Sequence, residues 1–202
     1  MSTTVTTRKG EVIQDPPFLQ KVTSHPLAAL LWLPLRIWLG YQWFDAGLHK
    51  VADPKWVQTG EALLGYWTRA VAIPEAPARP AISFEWYRAF IQGMLDAQAY
   101  TWFAKLVAYG ELLIGVALIL GAFTGIAAFF GGFMNWNFMM AGSASTNPLL
   151  FVIAVGLILA WKVSGYIGAD YVLLRLLGTP WRGKPVAETD TAPAPTAKPV
   201  RA

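Results

Sequence analysis

The sequence predicts an all-α protein: a four-helix transmembrane bundle with an amphipathic helical cap between the first and second spans. Three observations lead there. Hydrophobic residues fill 55% of the 202 positions and charged residues only 14%, against roughly 25% charged in a soluble domain. Four apolar stretches approach the ~20 residues that a spanning helix needs. Between the first two, the pattern changes to one apolar side per helical turn.

The first span is expected from Leu27 to Gly47, with Pro34 inside it. The second runs from Trp102 to Gly121, the third from Thr124 to Gly142 and the fourth from Pro148 to Ile167. The turn at Gly121–Gly125 is so short that spans two and three must be antiparallel neighbours. The link 142–148, Gly-Ser-Ala-Ser-Thr-Asn-Pro, has turn composition. In the cap, 48–101, Trp56–Val71 and Phe84–Tyr100 read as amphipathic helices joined by a proline-rich connector. Their Trp and Tyr residues suit the headgroup level. Residues 1–26 are expected to form a cytoplasmic arm, disordered up to Asp15. Residues 27–175 form the membrane domain, and 176–202, rich in Pro, Ala and Thr, a disordered tail.

Lys and Arg near the span ends orient the chain. Arg8, Lys9 and Lys21 precede the first span, and Lys162, Arg175, Arg182 and Lys184 lie at or beyond the end of the fourth. This balance puts both termini in the cytoplasm and the cap outside, in a multi-pass cell-membrane protein. The net charge of +4 is spread over span ends and is not gathered on a soluble face, so nucleic acid is not an expected partner. With no cysteine, thiolate metal sites, iron–sulfur ligation and disulfides are excluded. No Gly-rich dinucleotide fingerprint or phosphate loop is present. His25 and His49 stand at opposite ends of span one, about 36 Å apart by helical rise, too far to ligate one haem. No bound metal, haem or flavin is expected.

Ionisable groups inside a span are functional candidates by default. Arg36 in span one, Glu111 in span two and Asn135 in span three all fall near the bilayer midplane, counting about 1.5 Å per residue. Each shares a stripe with small residues: Arg36, Gly40, Trp43, Gly47 and Lys50; Ala104, Ala108, Glu111 and Gly115; Thr124, Ala128, Gly131, Asn135 and Gly142. Small residues mark helix–helix contacts, so the three polar groups are expected to meet, Glu111 neutralising Arg36 and Asn135 bonding either. Such a pair could simply lock helices together. The functional reading gives Glu111 and Arg36 catalytic roles, with Arg36, Asn135, Trp43 and Lys50 binding a substrate or a quinone ring. Asp45 is expected to pair with the cap, Asn137 to face a different neighbour from Asn135, and Lys105 and Lys162 to snorkel.

Arg36-x3-Gly40-x6-Gly47-x2-Lys50, Gly110-Glu111-Leu-Leu-Ile-Gly115 and Leu120-Gly121-Ala-Phe-Thr124-Gly125 resemble the DoxX/DoxD family over roughly Leu27 to Leu174. The resemblance implies a small four-helix membrane protein. It also implies a membrane subunit of thiosulfate:quinone oxidoreductase, with quinone as electron acceptor and a separate second subunit, DoxA-like or another redox protein. The residues also leave open a non-catalytic membrane scaffold that anchors a redox or stress-response partner, or a small anion transporter.

Overall fold

The computed structural model describes Val5–Thr6, Val12–Ile13 and residues 15–179. Apart from an antiparallel pairing of β1 (Val5–Thr6) with β2 (Val12–Ile13), the described fold is helical. The elements are α1 (Pro17–Ser24), α2 (Ala29–Ala52), α3 (Pro54–Val57), α4 (Glu61–Val71), α5 (Glu85–Asp96), α6 (Tyr100–Leu120), α7 (Thr124–Met140), α8 (Asn147–Leu159), α9 (Trp161–Ser164) and α10 (Asp170–Leu176). Residues 180–202, most of the predicted tail, lie outside the described residues, as does most of the segment before Asp15.

The helix pattern was legible in outline and wrong in places. Part of the N-terminal arm is α1, tied to the bundle by the Trp32 indole N–H donating to Val22 O at 2.8 Å. The first span continues five residues beyond Gly47, to Ala52. The fourth breaks at Ala160, so 13 residues of α8 are followed by the short α9. Among the described residues, only α6 is both long and apolar enough to cross a membrane; α8 is apolar but shorter. Gly142, expected on the α7 stripe, lies exposed beyond that helix at φ +85°.

Two cores hold the helices. Leu39, Trp43, Leu118, Ala128, Ala154 and Leu157 close the bundle of α2, α6, α7 and α8. Leu63, Trp67, Ile82, Tyr87, Ile91 and Ala104 seat the cap helices α4 and α5 on its end. Trp67 tilts against Phe103 with ring centroids 5.5 Å apart.

The closest helix pair is α2 with α6, and glycine makes it possible. A Cβ on Gly47 would stand 2.3 Å from Leu112 N, one on Gly115 2.3 Å from Phe44 N, and one on Gly40 2.9 Å from Ile119 N. The contacts step down one helix as they step up the other, the mark of an antiparallel pair in backbone contact. Replacing Gly115 with Ala should destabilise the fold by about 1–3 kcal/mol through overpacking, despite the better helix propensity of Ala. Gly110, where an added Cβ meets nothing within 4 Å, should tolerate Ala. Denaturation midpoints of the two variants check the contrast.

Candidate functional site

Glu111 is buried, with 1% of its surface exposed, and its Oε2 accepts a hydrogen bond from Lys50 Nζ. The glycine contact explains the pairing. With Gly47 lying on the backbone of Glu111 and Leu112, a lysine one turn further along α2 reaches the carboxylate directly. Lys50 Nζ also lies 5.2 Å from the Trp56 ring centroid, a cation–π contact that holds the ammonium toward the cap.

Asn135 reaches the same level by hairpin geometry. The side chain of Ile114 lies 3.4 Å from where a Cβ on Gly131 would be. One turn toward the cap on each helix brings Glu111 and Asn135 abreast. Asn135 is fully buried, yet neither its Nδ2 nor its Oδ1 has a hydrogen-bond partner, and the buried Trp43 Nε1 has none either. Trp43 Nε1 lies 2.9 Å from the Gly131 Cβ position, one turn from Asn135. Buried polar atoms are nearly always bonded. The amide of Asn135 and the indole N–H of Trp43 are therefore two unmatched groups on facing helices, of which Trp43 lines the polar cavity.

Glu111, Lys50 and Trp43 line a cavity of ≈ 790 Å³. Its other walls carry Gln42, Lys55, Glu61, Tyr66 and Arg69, with Ser143, Ser145, Thr146 and Asn147 from the α7–α8 link. Asp45 also lines it but approaches His49 of its own helix, at 3.7 Å, instead of the cap. Asn137 does face a different neighbour: the Tyr87 hydroxyl donates to its Oδ1 at 3.0 Å and to its carbonyl at 3.1 Å. Burial pushes the Tyr87 phenol up to about 12, and nearby Tyr66 adds to the rise. Tyr66 is raised as well, because burial outweighs the lowering effect of the Ser143 side chain.

The expected meeting of Arg36 with Glu111 does not occur. Arg36 Nη1 donates to Ser164 O at 3.1 Å and Nη2 to Ile167 O at 2.8 Å. Its guanidinium packs against Gly121, where a Cβ would come within 2.2 Å of Nη1. Gly121 and Glu111 are ten residues apart on one chain run, about 15 Å by helical rise. Arg36 thus serves the opposite end of the bundle. The physical reason is that the break after α8 frees helix-terminal carbonyls, which attract a cation.

Asp170 completes this second cluster and was missed by sequence reasoning, which ended the fourth span at Ile167. It is buried at 2% exposure, and its charge acts on Arg36. Its carboxylate accepts from Phe123 N at 2.5 Å and Thr124 N at 2.9 Å, capping the first turn of α7. Phe123 is held at φ +48°, a region non-glycine residues seldom adopt. The available signal was an acid in an apolar neighbourhood, an expensive placement without a partner.

No family model, curated protein or solved structure matches the chain. Fold and site together define an all-helical protein with one helix suited to cross a membrane and a buried acid–base pair at the base of a polar cavity.

Replacing Asp170 with Ala strips the α7 cap and leaves Arg36 buried without its acid. The expected loss is about 1–3 kcal/mol for each buried N–H left without its acceptor. Chemical denaturation in detergent measures it.

Proposed function

We propose that the chain is the multi-pass membrane subunit of a quinone-linked oxidoreductase. In this reading α2, α6, α7 and the α8–α9 pair cross the bilayer, both termini are cytoplasmic and the cap lies outside. The supporting observation is the placement of the Lys50–Glu111 pair beside the unpartnered Asn135 amide and Trp43 indole. A quinone ring needs donors for its carbonyl oxygens; Trp43 and Lys50 stand on the cavity wall, with Asn135 buried behind it. Its reduction to quinol takes two electrons and two protons. Glu111, held by its bond to Lys50, is positioned to relay the two protons in turn from water in the polar cavity. With thiosulfate as donor, two thiosulfate ions join through a new S–S bond to give tetrathionate and release the two electrons. Lys50, Lys55 and Arg69 on the cavity wall would draw such an oxyanion inward. Arg36, engaged at the other end, takes no part. A separate redox subunit is the alternative electron source.

The direct Lys50–Glu111 bond equally suits a non-catalytic scaffold, in which it locks α2 to α6 and the chain anchors a partner protein. Transport of an anion is disfavoured, because the sequence shows no clear inverted repeat of the kind alternating-access carriers use.

Glu111→Gln keeps the shape and removes the titrating carboxyl. Thiosulfate-dependent quinone reduction in membranes should fall by at least ~100-fold, the usual contribution of a proton-transfer group. Parental activity would remove Glu111 from the mechanism, and unaltered partner capture with no activity in either form would favour the scaffold.

The cysteine-free sequence also permits a clean topology test. A single cysteine at Ala78, in the exposed cap connector, should react with an impermeant maleimide added to intact cells. Labelling only after lysis would invert the proposed orientation.

A further inference from the structure

A second concavity, separate from the polar cavity, lies between the cap and the outer faces of α6 and α7, with a volume of ≈ 570 Å³. Leu106, Gly110 and Leu113 of α6, Phe130 and Phe133 of α7, and Phe90 of α5 line it. All of these but Gly110 are strongly exposed. We propose that this groove holds one acyl chain of a phospholipid from the leaflet on the cap side. The proposal rests on the membrane placement given above and not on the redox assignment.

Three features select that occupant. The groove opens on the outward face of α6, the helix whose length and composition suit a membrane crossing, so the medium at its mouth is hydrocarbon. Its lining on α6 runs from Phe103 to Ile114, about 16 Å at 1.5 Å per residue. That is close to half of a ~30 Å hydrocarbon core, the reach of one chain in one leaflet; a long polyisoprenoid tail would overrun it. The wall also offers little to a headgroup. The Tyr87 hydroxyl is committed to Asn137, whose Nδ2 donates in turn to Phe133 O at 2.8 Å. An occupant without polar atoms loses nothing there, whereas a polar one would go unpaired. Leu63, Tyr66 and Phe138 line both this groove and the polar cavity, so a bound chain packs the back of the cavity wall.

Gly110 supplies the test. An added Cβ there meets nothing within 4 Å, so larger side chains grow into the groove without moving backbone. The full chain is reconstituted in nanodiscs with a phosphatidylcholine carrying a diazirine midway along one acyl chain, and photo-adducts are mapped by peptide mass spectrometry. Adducts should concentrate at 106–113 and 130–133. They should persist in Gly110→Ala, weaken in Gly110→Leu and fall roughly tenfold in Gly110→Phe, since displacing two buried methylenes already has an effect of that order. Gly93→Phe, on α5 outside the groove and equally open, should leave them unchanged. Adducts spread evenly around the lateral surface, or displaced by a stoichiometric prenylated quinone, overturn the acyl-chain assignment. Recovery of the protein in the soluble fraction after lysis overturns the membrane placement along with it.

Discussion

The backbone-to-backbone contact of α2 with α6 is the constraint on which the other features depend. Gly40, Gly47 and Gly115 let the two helices touch along more than two turns. At that separation the long side chains beside the seam cannot stay between the helices and must leave at its ends. Arg36 leaves toward Gly121 and the α9 carbonyls, and Lys50 leaves toward Glu111. Dispersion and close packing, more than apolar burial, hold helices together when the surrounding medium is itself apolar. A seam of this kind therefore suits an environment of lipid.

Both polar clusters keep buried atoms without a partner: Arg36 Nε and Thr124 Oγ1 at one end, Trp43 Nε1 and the Asn135 amide at the other. At the Arg36 end, two carbonyls accept from the guanidinium, and Asp170 fixes the start of α7. Such an arrangement rigidifies. At the Glu111 end, one ion pair stands beside an amide and an indole N–H that nothing in the protein satisfies. Partly satisfied buried networks carry a cost of about 1–3 kcal/mol per missing bond. Folds tend to keep that cost where a ligand recovers it. What separates the ends is access: Glu111, Lys50 and Trp43 line the polar cavity and Arg36 and Asp170 do not.

Much of this was legible in the sequence, and the failures have physical causes. The stripes of small residues were read correctly as contact faces: Arg36, Gly40, Trp43 and Gly47 are buried together, as are Ala104, Ala108, Glu111 and Gly115. The tight turn at Gly121 sets Asn135 near the level of Glu111, but the expected bond from Asn135 to Glu111 or Arg36 does not form. Depth alone misplaced Arg36. The helix runs on to Ala52, so Arg36 lies in its first third, already near the end where the acceptors stand. Those acceptors exist only because the last long helix breaks at Ala160, and apolar composition gives no warning of a break. Asp170 escaped notice for the same reason. The cap helices were recognisable from their one-sided pattern, but the Lys50–Trp56 contact depends on the turn at Asp53, whose side chain caps α3 by accepting from Lys55 N.

The clasp around Arg36 joins residues 128 positions apart, and this has a consequence for biogenesis. Translation delivers the arginine early and its acceptors last. Until the segment 164–170 has been made, a guanidinium in the first long helix lacks the groups that will neutralise it. The bundle can therefore close around Arg36 only after that segment has joined it. Completion of the C-terminal part is thus the event that commits the first helix to its place, and a polypeptide released before that point would carry an exposed signal of its own incompleteness for quality control to recognise.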